Sequence, residues 1–280
     1  MKLVTFNTQW CRGLDGAVDP RRIVEAARAL ADFDALCLQE VAHNYPGLPG
    51  DAGHDQPALL AALLPGFRLF FGAAVHEFTK DGESRFGNCV ATRLPVRQVQ
   101  HHPLPYPADA GVPSMPRMCT VVTVDAPGLG LVRIMATHLE FYSKVQRMAQ
   151  ARALRELHLQ YSAQAAEPPQ ASDDGSPFRT KAHTAQAVLC GDFNLEPHEP
   201  EHRAITEPAG ACTLHDAWEV LHGDTPRPPT FCVFDRTYGP EPIACDFVFV
   251  TGTLAPRVRR FAVDGETRVS DHQPVCVEFA

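Results

Sequence analysis

Val188-Leu189-Cys190-Gly191-Asp192-Phe193-Asn194 is an apolar run that closes on a glycine, a carboxylate and an amide. A short apolar run bounded by turn-forming residues reads as a buried strand, so Asp192 and Asn194 stand where the chain leaves a sheet. A strand end is where a rigid scaffold presents a side chain to a shared cleft. The same pattern recurs outward in both directions: Asn7, Gln39-Glu40, Asn88, Thr137-His138, Asp246 and Ser270-Asp271-His272 all sit at the ends of otherwise apolar segments. Taken singly, each has a plainer account: Asn7 as a turn cap, Glu40 as a solvated end, His138 as a hydrogen-bonded core histidine, Ser270 as a cap beside a surface Asp271. Recurrence along the whole chain favours one cleft that gathers them.

Strand-like segments with β-branched or alternating apolar character fall at 3–8, 35–39, 67–71, 88–92, 118–124, 132–137, 188–192, 247–250, 258–263 and 275–279. Helices are predicted between some of them. Asp19-Pro20 supplies an N-cap and a first-turn proline for 21–31, where Ile23, Ala27 and Leu30 share a face. A second helix begins near Asp55-Gln56-Pro57 and stops at Pro65-Gly66, and a third runs over about 143–164 with Val145, Met148, Leu154 and Leu157 at helical spacing. Strands mixed with outer helices, and a hairpin-like pair around Pro127-Gly128, predict an α+β fold. Its architecture is a four-layer sandwich of two packed mixed β-sheets flanked by helices, in a single domain over 1–280. The stretch 167–180, rich in Pro, Ser, Asp and Gly, reads as a loop.

A chain of 280 residues with 45% hydrophobic content can bury a large core. No apolar run approaches the roughly 20 residues that span a bilayer, and no export signal precedes the first strand, so a soluble, cytoplasmic protein is expected. The nine cysteines include no Cys-x-x-Cys pair, and Cys37, Cys89, Cys119, Cys190 and Cys276 lie in apolar stretches, which reads as reduced core thiols. A net charge of −8 opposes the sequence-independent attraction to polyphosphate on which most nucleic-acid binders rely. Bound metal and a few local arginines can reverse the field inside one cleft, so nucleic acid is possible but not favoured.

Together, Phe6-Asn7-Thr8, Leu38-Gln39-Glu40, Phe86-Gly87-Asn88 with Arg93-Leu94-Pro95, Thr137-His138-Leu139, Gly191-Asp192-Phe193-Asn194, Asp246-Phe247-Val248-Phe249-Val250 and Ser270-Asp271-His272 resemble the endonuclease/exonuclease/phosphatase superfamily, in its order and over nearly the full chain. The resemblance implies metal-dependent hydrolysis of a phosphate ester by in-line attack of water. A phosphodiester anion repels hydroxide, so such a site needs a cation on the phosphate oxygens, an activated water and donors for the transition state. Asn7, Glu40 and Asp271 form an oxygen-rich set suited to Mg²⁺ or Mn²⁺, and histidine–cysteine zinc spacing is absent. By resemblance, Asp192 orients or deprotonates the water, Asn194 donates to a phosphoryl oxygen, His138 and His272 face the phosphate, and Asp246 fixes the tautomer and charge of His272. Asn88 and Arg117 are candidate substrate contacts, with a neighbour-holding role for Asn88 and a surface ion pair for Arg117 as the alternatives. Arg147 and Gln150 look like family positions too. Glu77 and Glu83 are the candidate carboxylate partners of His138.

The loops 43–56 and 101–117 are expected to rim the cleft; neither carries a Lys/Arg run for a polynucleotide backbone or an exposed aromatic pair. The favoured substrate is therefore a phosphodiester or phosphomonoester of modest size, with DNA cleavage as the alternative. A binding scaffold on the same fold is the rival from another class. It would have no use for so many buried carboxylates, which are costly without a metal. A serine or cysteine hydrolase is disfavoured by the absence of a Gly-x-Ser-x-Gly elbow.

Overall fold

A computed structural model describes residues 1–80 and 82–280. In chain order the elements are β1 (Lys2–Asn7), α1 (Pro20–Leu30), β2 (Ala35–His43), α2 (Gln56–Leu63), β3 (Arg68–Thr79), β4 (Gly82–Thr92), β5 (Val96–Pro103), β6 (Met118–Ala126), β7 (Gly130–His138), α3 (Lys144–Ala166), β8 (Ala187–Asp192), α4 (Pro200–Thr206), β9 (Leu214–Asp216), α5 (Ala217–His222), β10 (Asp246–Thr251), β11 (Val258–Val263) and β12 (Val275–Phe279). They form two six-stranded mixed sheets, ordered β11-β12-β1-β2-β4-β3 and β5-β6-β7-β8-β10-β9.

Alternation along the strands explains the four layers. Leu3 of β1, Cys37 of β2, Val188 and Cys190 of β8 and Val248 of β10 turn inward and fill the core between the sheets. Their neighbours Val4, Phe6, Leu36 and Leu38 point outward under Ile23, Val24 and Ala27 of α1 and Leu60 of α2. On the other sheet Met135, Leu189, Phe247 and Phe249 are covered by Ala151 and Leu154 of α3 and Ile205 of α4. With both faces buried, the central strands read as near-continuous apolar runs. The cysteines follow suit: Cys37, Cys89, Cys119, Cys190 and Cys276 are buried and free. Helix starts follow the caps, with Asp19 accepting from Arg21 N, Asp55 from Ala58 N and Ser143 from Gln146 N.

The sheet order sets the position of the cleft. Each sheet has its one parallel pair at the centre, β1 with β2 and β7 with β8. Register puts Asn7 beside Gln39 and His138 beside Asp192, so both parallel pairs release their carboxyl ends at one rim. β10 runs antiparallel to β8 and therefore begins there, with Asp246 opposite Asp192.

Four elements escape the sequence reading. β5 was expected to be partly loop, because 101–117 reads as rim. It is an edge strand on β6 with a register shift between Val96 and Gln98 that breaks its alternation. β9, α4 and α5 are 3, 7 and 6 residues long, too short to carry a period. β3 also continues past 71 to Thr79 as a hairpin with β4 whose outer end is exposed.

Candidate active site

Local backbone geometry delivers the polar residues to the rim. Between Leu38 and Val41 the β2–β4 register slips, and Glu40 takes φ +56°, a region a non-glycine residue rarely occupies. The bulge takes Glu40 out of strand alternation and turns its carboxylate into the cleft. Asn194 sits at φ +51°, and such strain collects at functional sites. Gly191 is required by its surroundings: at φ +143° any Cβ would lie 1.9 Å from Thr137 O on the neighbouring strand.

One hydrogen-bonded network joins the two sheets across the cleft. Asn7 Nδ2 donates to Glu40 Oε1 at 3.1 Å and to Asp192 Oδ2 at 2.9 Å. Its Oδ1 accepts from Gln9 N at 3.1 Å, which fixes the amide orientation. Asn7 thus meets the carboxylates as a donor, and a metal-ligand role for its oxygen would require giving up the Gln9 bond. Asp192 Oδ1 accepts from Asn194 N at 2.9 Å, and its Oδ2 lies 3.3 Å from His138 Nε2 and 3.5 Å from His272 Nε2. His272 Nδ1 pairs with Asp246 Oδ2 at 2.9 Å. Ser270 Oγ donates to Asn7 O at 2.8 Å and accepts from His272 N at 3.2 Å, tying the last motif to the end of β1. Asn194 Nδ2 lies 3.0 Å from His138 Nε2 and donates to Leu139 O at 2.9 Å.

Burial sets the protonation states. Desolvation raises Glu40, and pushes Asp192 and Asp271 up to about 6 from 3.8 despite the His272 charge that opposes it. For His272 desolvation acts downward but is outweighed by Asp246 and Asp192, which lift it to about 10. It is an imidazolium at neutral pH, donating from both nitrogens. His138 goes the other way: desolvation, then Arg117 and His272, hold it well below 6.5, so it is neutral and its Nε2 accepts from Asn194.

Buried Asp192 and Asp271 and the partly exposed Glu40 make a hard-oxygen donor set in one cleft. Gln9, on the turn after β1, donates from Nε2 to Asp271 Oδ2 at 2.8 Å, while its Oε1 is buried with no partner among the described residues. Glu40, Asp271 and the Gln9 oxygen therefore fit a hard divalent cation. Cys245 lies close to Asp192 and His272, but burial and then Asp192 hold its thiol well above 9.0, so it offers no thiolate. A second cluster, His202, Asp216 and Glu219, already has the Arg227 guanidinium on Asp216.

A pH test follows from these shifts. A carboxyl whose folded value lies above its unfolded one holds its proton more tightly in the fold, so the metal-free protein loses that stability as pH rises from about 4 to about 6. A metal binds the deprotonated form and returns it. The His272 contribution is constant over that window, because its charge is lost only near pH 10. The Mn²⁺-induced rise in Tm should be small at pH 5, grow through pH 6 and level off above about 7. Equal shifts at pH 5 and pH 7 would contradict the assignment.

Asn7, Glu40, His138, Asp192, Asn194, Asp271 and His272 all meet in or border one cleft, with Asp246 behind His272. Arg117 lines the same cleft, but its ion pair is internal, with Nε 3.1 Å from Glu140 Oε2 and both side chains buried, in place of the surface pair considered as the alternative. Its Nη1 is buried without a partner among the described residues. Asn88 donates to Met118 O at 3.1 Å beside a small adjoining cavity with Glu40 and His138, which is the neighbour-holding role. Glu77 and Glu83 are not partners of His138. Glu83 pairs with His76 and Arg85 on the exposed hairpin, Glu77 lies by Tyr45, and the carboxylate beside His138 is Asp192.

Sequence reasoning missed Gln9 and Glu140. Glu140 Oε1 accepts from Phe141 N and Tyr142 N while Oε2 accepts from Met115 N and Arg117. Its place directly after Thr137-His138-Leu139 was the available signal. Gln150 holds Glu140 N, and Arg147 donates to Phe141 O and Asn194 O, so both support the loops from below. The aromatic lining was missed as well: Trp10, Phe141, Tyr142, Phe231 and Tyr238 face the cleft and come from outside both expected rim loops.

Among the described residues no helix is long and apolar enough to cross a membrane. A comparison with the curated proteins finds no match. Among solved structures, an endonuclease/exonuclease/phosphatase from Beutenbergia cavernae DSM 12333 is 27% identical, with a TM-score of 0.69 over 99% of this chain and 70% of that one. The Bacteroides thetaiotaomicron VPI-5482 mannosyl-6-phosphatase Bt3783 is 19% identical, with a TM-score of 0.66 over 100% and 99%. A truncated TDP2 from Caenorhabditis elegans is 18% identical, with a TM-score of 0.63 over 100% and 97%. The family model described as "Endonuclease/Exonuclease/phosphatase family" matches residues 4–272, taking in the polar strand ends from Asn7 to His272. Two mixed sheets with one shared cleft, those residues gathered in it and a match of that extent lead to one conclusion: the chain belongs to the endonuclease/exonuclease/phosphatase family.

Proposed function

We propose that this protein is a divalent-metal-dependent phosphoester hydrolase, acting as one catalytic domain over 1–280 and working in the cytoplasm. The observation that carries the reading is the convergence of Glu40, Asp192 and Asp271, all raised by burial, on one cleft with the imidazolium of His272 and with Arg117, whose Nη1 has no partner among the described residues. Glu40 and Asp271, with the oxygen of Gln9 from the same cleft, would hold Mg²⁺ or Mn²⁺. When bound, the metal supplies charge neutralisation at the phosphate and lowers the barrier to attack by water.

The protein's own groups supply the rest. Asp192, titrating near 6, is suited to take a proton from the attacking water at neutral pH. Asn7 and the Asn194 backbone hold its two oxygens in place. His272 Nε2–H, backed by Asp246, and Arg117 Nη1 are the donors available to phosphoryl oxygens. Asn194 spends its amide hydrogens on His138 and Leu139 O, so its contribution is to orient His138 unless substrate displaces one of those bonds. A scaffold without catalysis would carry the cost of these buried carboxylates for nothing. The test is a panel of phosphate monoesters and diesters assayed with Mg²⁺ and Mn²⁺ against Glu40→Gln. Turnover of at least one ester, lost in that variant, supports the reading, and no turnover with either metal overturns it.

Small esters are favoured over DNA by the placement of positive charge. Arg257 and Arg259 donate to the Gly128 and Pro256 carbonyls, and Arg260 pairs with Glu278. Glu278 lies opposite Lys2 at the start of β1, whereas the cleft opens at Asn7 at its end. The chain's only dense arginine run is thus at the far end of the sheet, about 17–20 Å away for a strand of this length. Affinity for an uncleavable duplex at constant Mg²⁺ should fall with monovalent salt with a log–log slope of magnitude no more than about 3. A steep slope, abolished by replacing the three arginines together, would move nuclease action ahead.

A further inference from the structure

Among the described residues, the cations that line the cleft are the Arg117 guanidinium and the His272 imidazolium. Each is tied to a carboxylate outside the set that faces the metal: His272 Nδ1 to Asp246 Oδ2 at 2.9 Å, and Arg117 Nε to Glu140 Oε2 at 3.1 Å. Strand pairing brings the second couple together. Cys119 of β6 faces Thr137 of β7, so Arg117, just before β6, and Glu140, just after β7, leave the sheet side by side. Glu140 is fully buried, and it accepts from Phe141 N at 3.0 Å, Tyr142 N at 3.1 Å and Met115 N at 3.3 Å besides Arg117. With about four acceptor sites on a carboxylate, its capacity is filled and its place is fixed.

Arg117 faces a second carboxylate. Glu40 shares with it both the main cleft and the small cavity beside Asn88. Burial raises the Glu40 carboxyl, and the charge of Arg117 is among those that oppose the rise. A guanidinium pairs readily with a carboxylate through two parallel bonds, and a buried cation stripped of its counter-charge is costly. Deprived of Glu140, Arg117 would turn to Glu40 and occupy the oxygens that a metal needs. On the reading that Glu40 and Asp271 hold the metal, we propose that Glu140 is a positioning residue: it holds Arg117 by the Nε edge and so keeps the guanidinium off Glu40, leaving that carboxylate to the cation.

The test is Mn²⁺ binding to the metal-free full chain, measured by calorimetry at neutral pH without substrate, in the parent, Glu140→Gln, Arg117→Met and the double variant. The glutamine keeps the shape of the side chain and removes its charge. Glu140→Gln should raise the Kd for Mn²⁺ about 10- to 100-fold, the usual effect of losing a group that supports a metal site from outside it. Arg117→Met should bind Mn²⁺ at least as tightly as the parent, because the competing cation is gone. In that background the Glu140→Gln loss should shrink to about threefold or less, whereas a merely structural role for Glu140 would leave it undiminished. An unchanged Kd in Glu140→Gln, or a loss equally large with and without Arg117, overturns this inference and leaves the hydrolase reading standing. Should Glu140→Gln show no cooperative melt, Glu140→Asp, which draws the charge back by one methylene, is judged by the same reversal. No binding of Mn²⁺ by the parent overturns both.

Discussion

Asp192→Asn is expected to lower kcat by about 10²- to 10⁴-fold, the range for loss of a positioned proton acceptor. The fold should survive. The amide matches the carboxylate in shape, and an oxygen can still accept the Asn194 backbone N–H that Asp192 Oδ1 accepts at 2.9 Å. Its amide nitrogen then faces Asn7 Nδ2, which donates to Asp192 Oδ2 at 2.9 Å, so one hydrogen bond is lost at a cost of about 1 kcal/mol. Against that loss, the variant no longer desolvates a charge that burial already pushes up to about 6. Tm should therefore move little while turnover collapses. Steady-state kinetics on the best ester, with a thermal melt, check both halves. A kcat close to that of the parent would show that the proton goes elsewhere.

His272→Ala is the second large effect, with kcat lowered by at least about 100-fold, as when a transition-state donor is removed. The wild-type imidazolium is set by Asp246 at 2.9 Å and Asp192 at 3.5 Å and stays charged to about pH 10. The parent enzyme should therefore show no loss of kcat from this group between pH 7 and 9. In the variant both carboxylates face each other without that charge, so the fall of kcat on the acid side should move to higher pH. An unchanged acid limb together with a kcat within tenfold of the parent would remove His272 from the phosphate.

Much of this was legible from residue order alone, for physical reasons that differ by element. The central strands were found because burial on both faces makes them apolar throughout, as in β8 and β10. Most site residues stood out because they border such runs: parallel pairing brings Asn7, His138 and Asp192 to one rim, and Asp246 reaches it at the start of antiparallel β10, whereas Asn88 lies inside β4. What stayed hidden depends on non-local geometry. Gln9 lies beyond β1 on a turn at φ +47° and meets Asp271 across 262 positions of sequence, a contact no spacing rule reveals. Glu140, which no motif singles out, lies just past the end of β7 and is fully buried against Arg117. The aromatic face draws on residues from Trp10 to Tyr238, none of them clustered in a rim loop. The β5 edge, with its polar sequence and register shift, has no periodicity to read.

The most direct test of the account removes the metal from an otherwise unaltered protein. The full chain is treated with EDTA, dialysed free of it and assayed on the ester it hydrolyses best, before and after stepwise addition of Mg²⁺ or Mn²⁺. Glu40, Asp271 and the Gln9 oxygen, unpartnered among the described residues, predict that turnover disappears in the metal-free protein and returns with either ion. Full activity in the metal-free protein would contradict it.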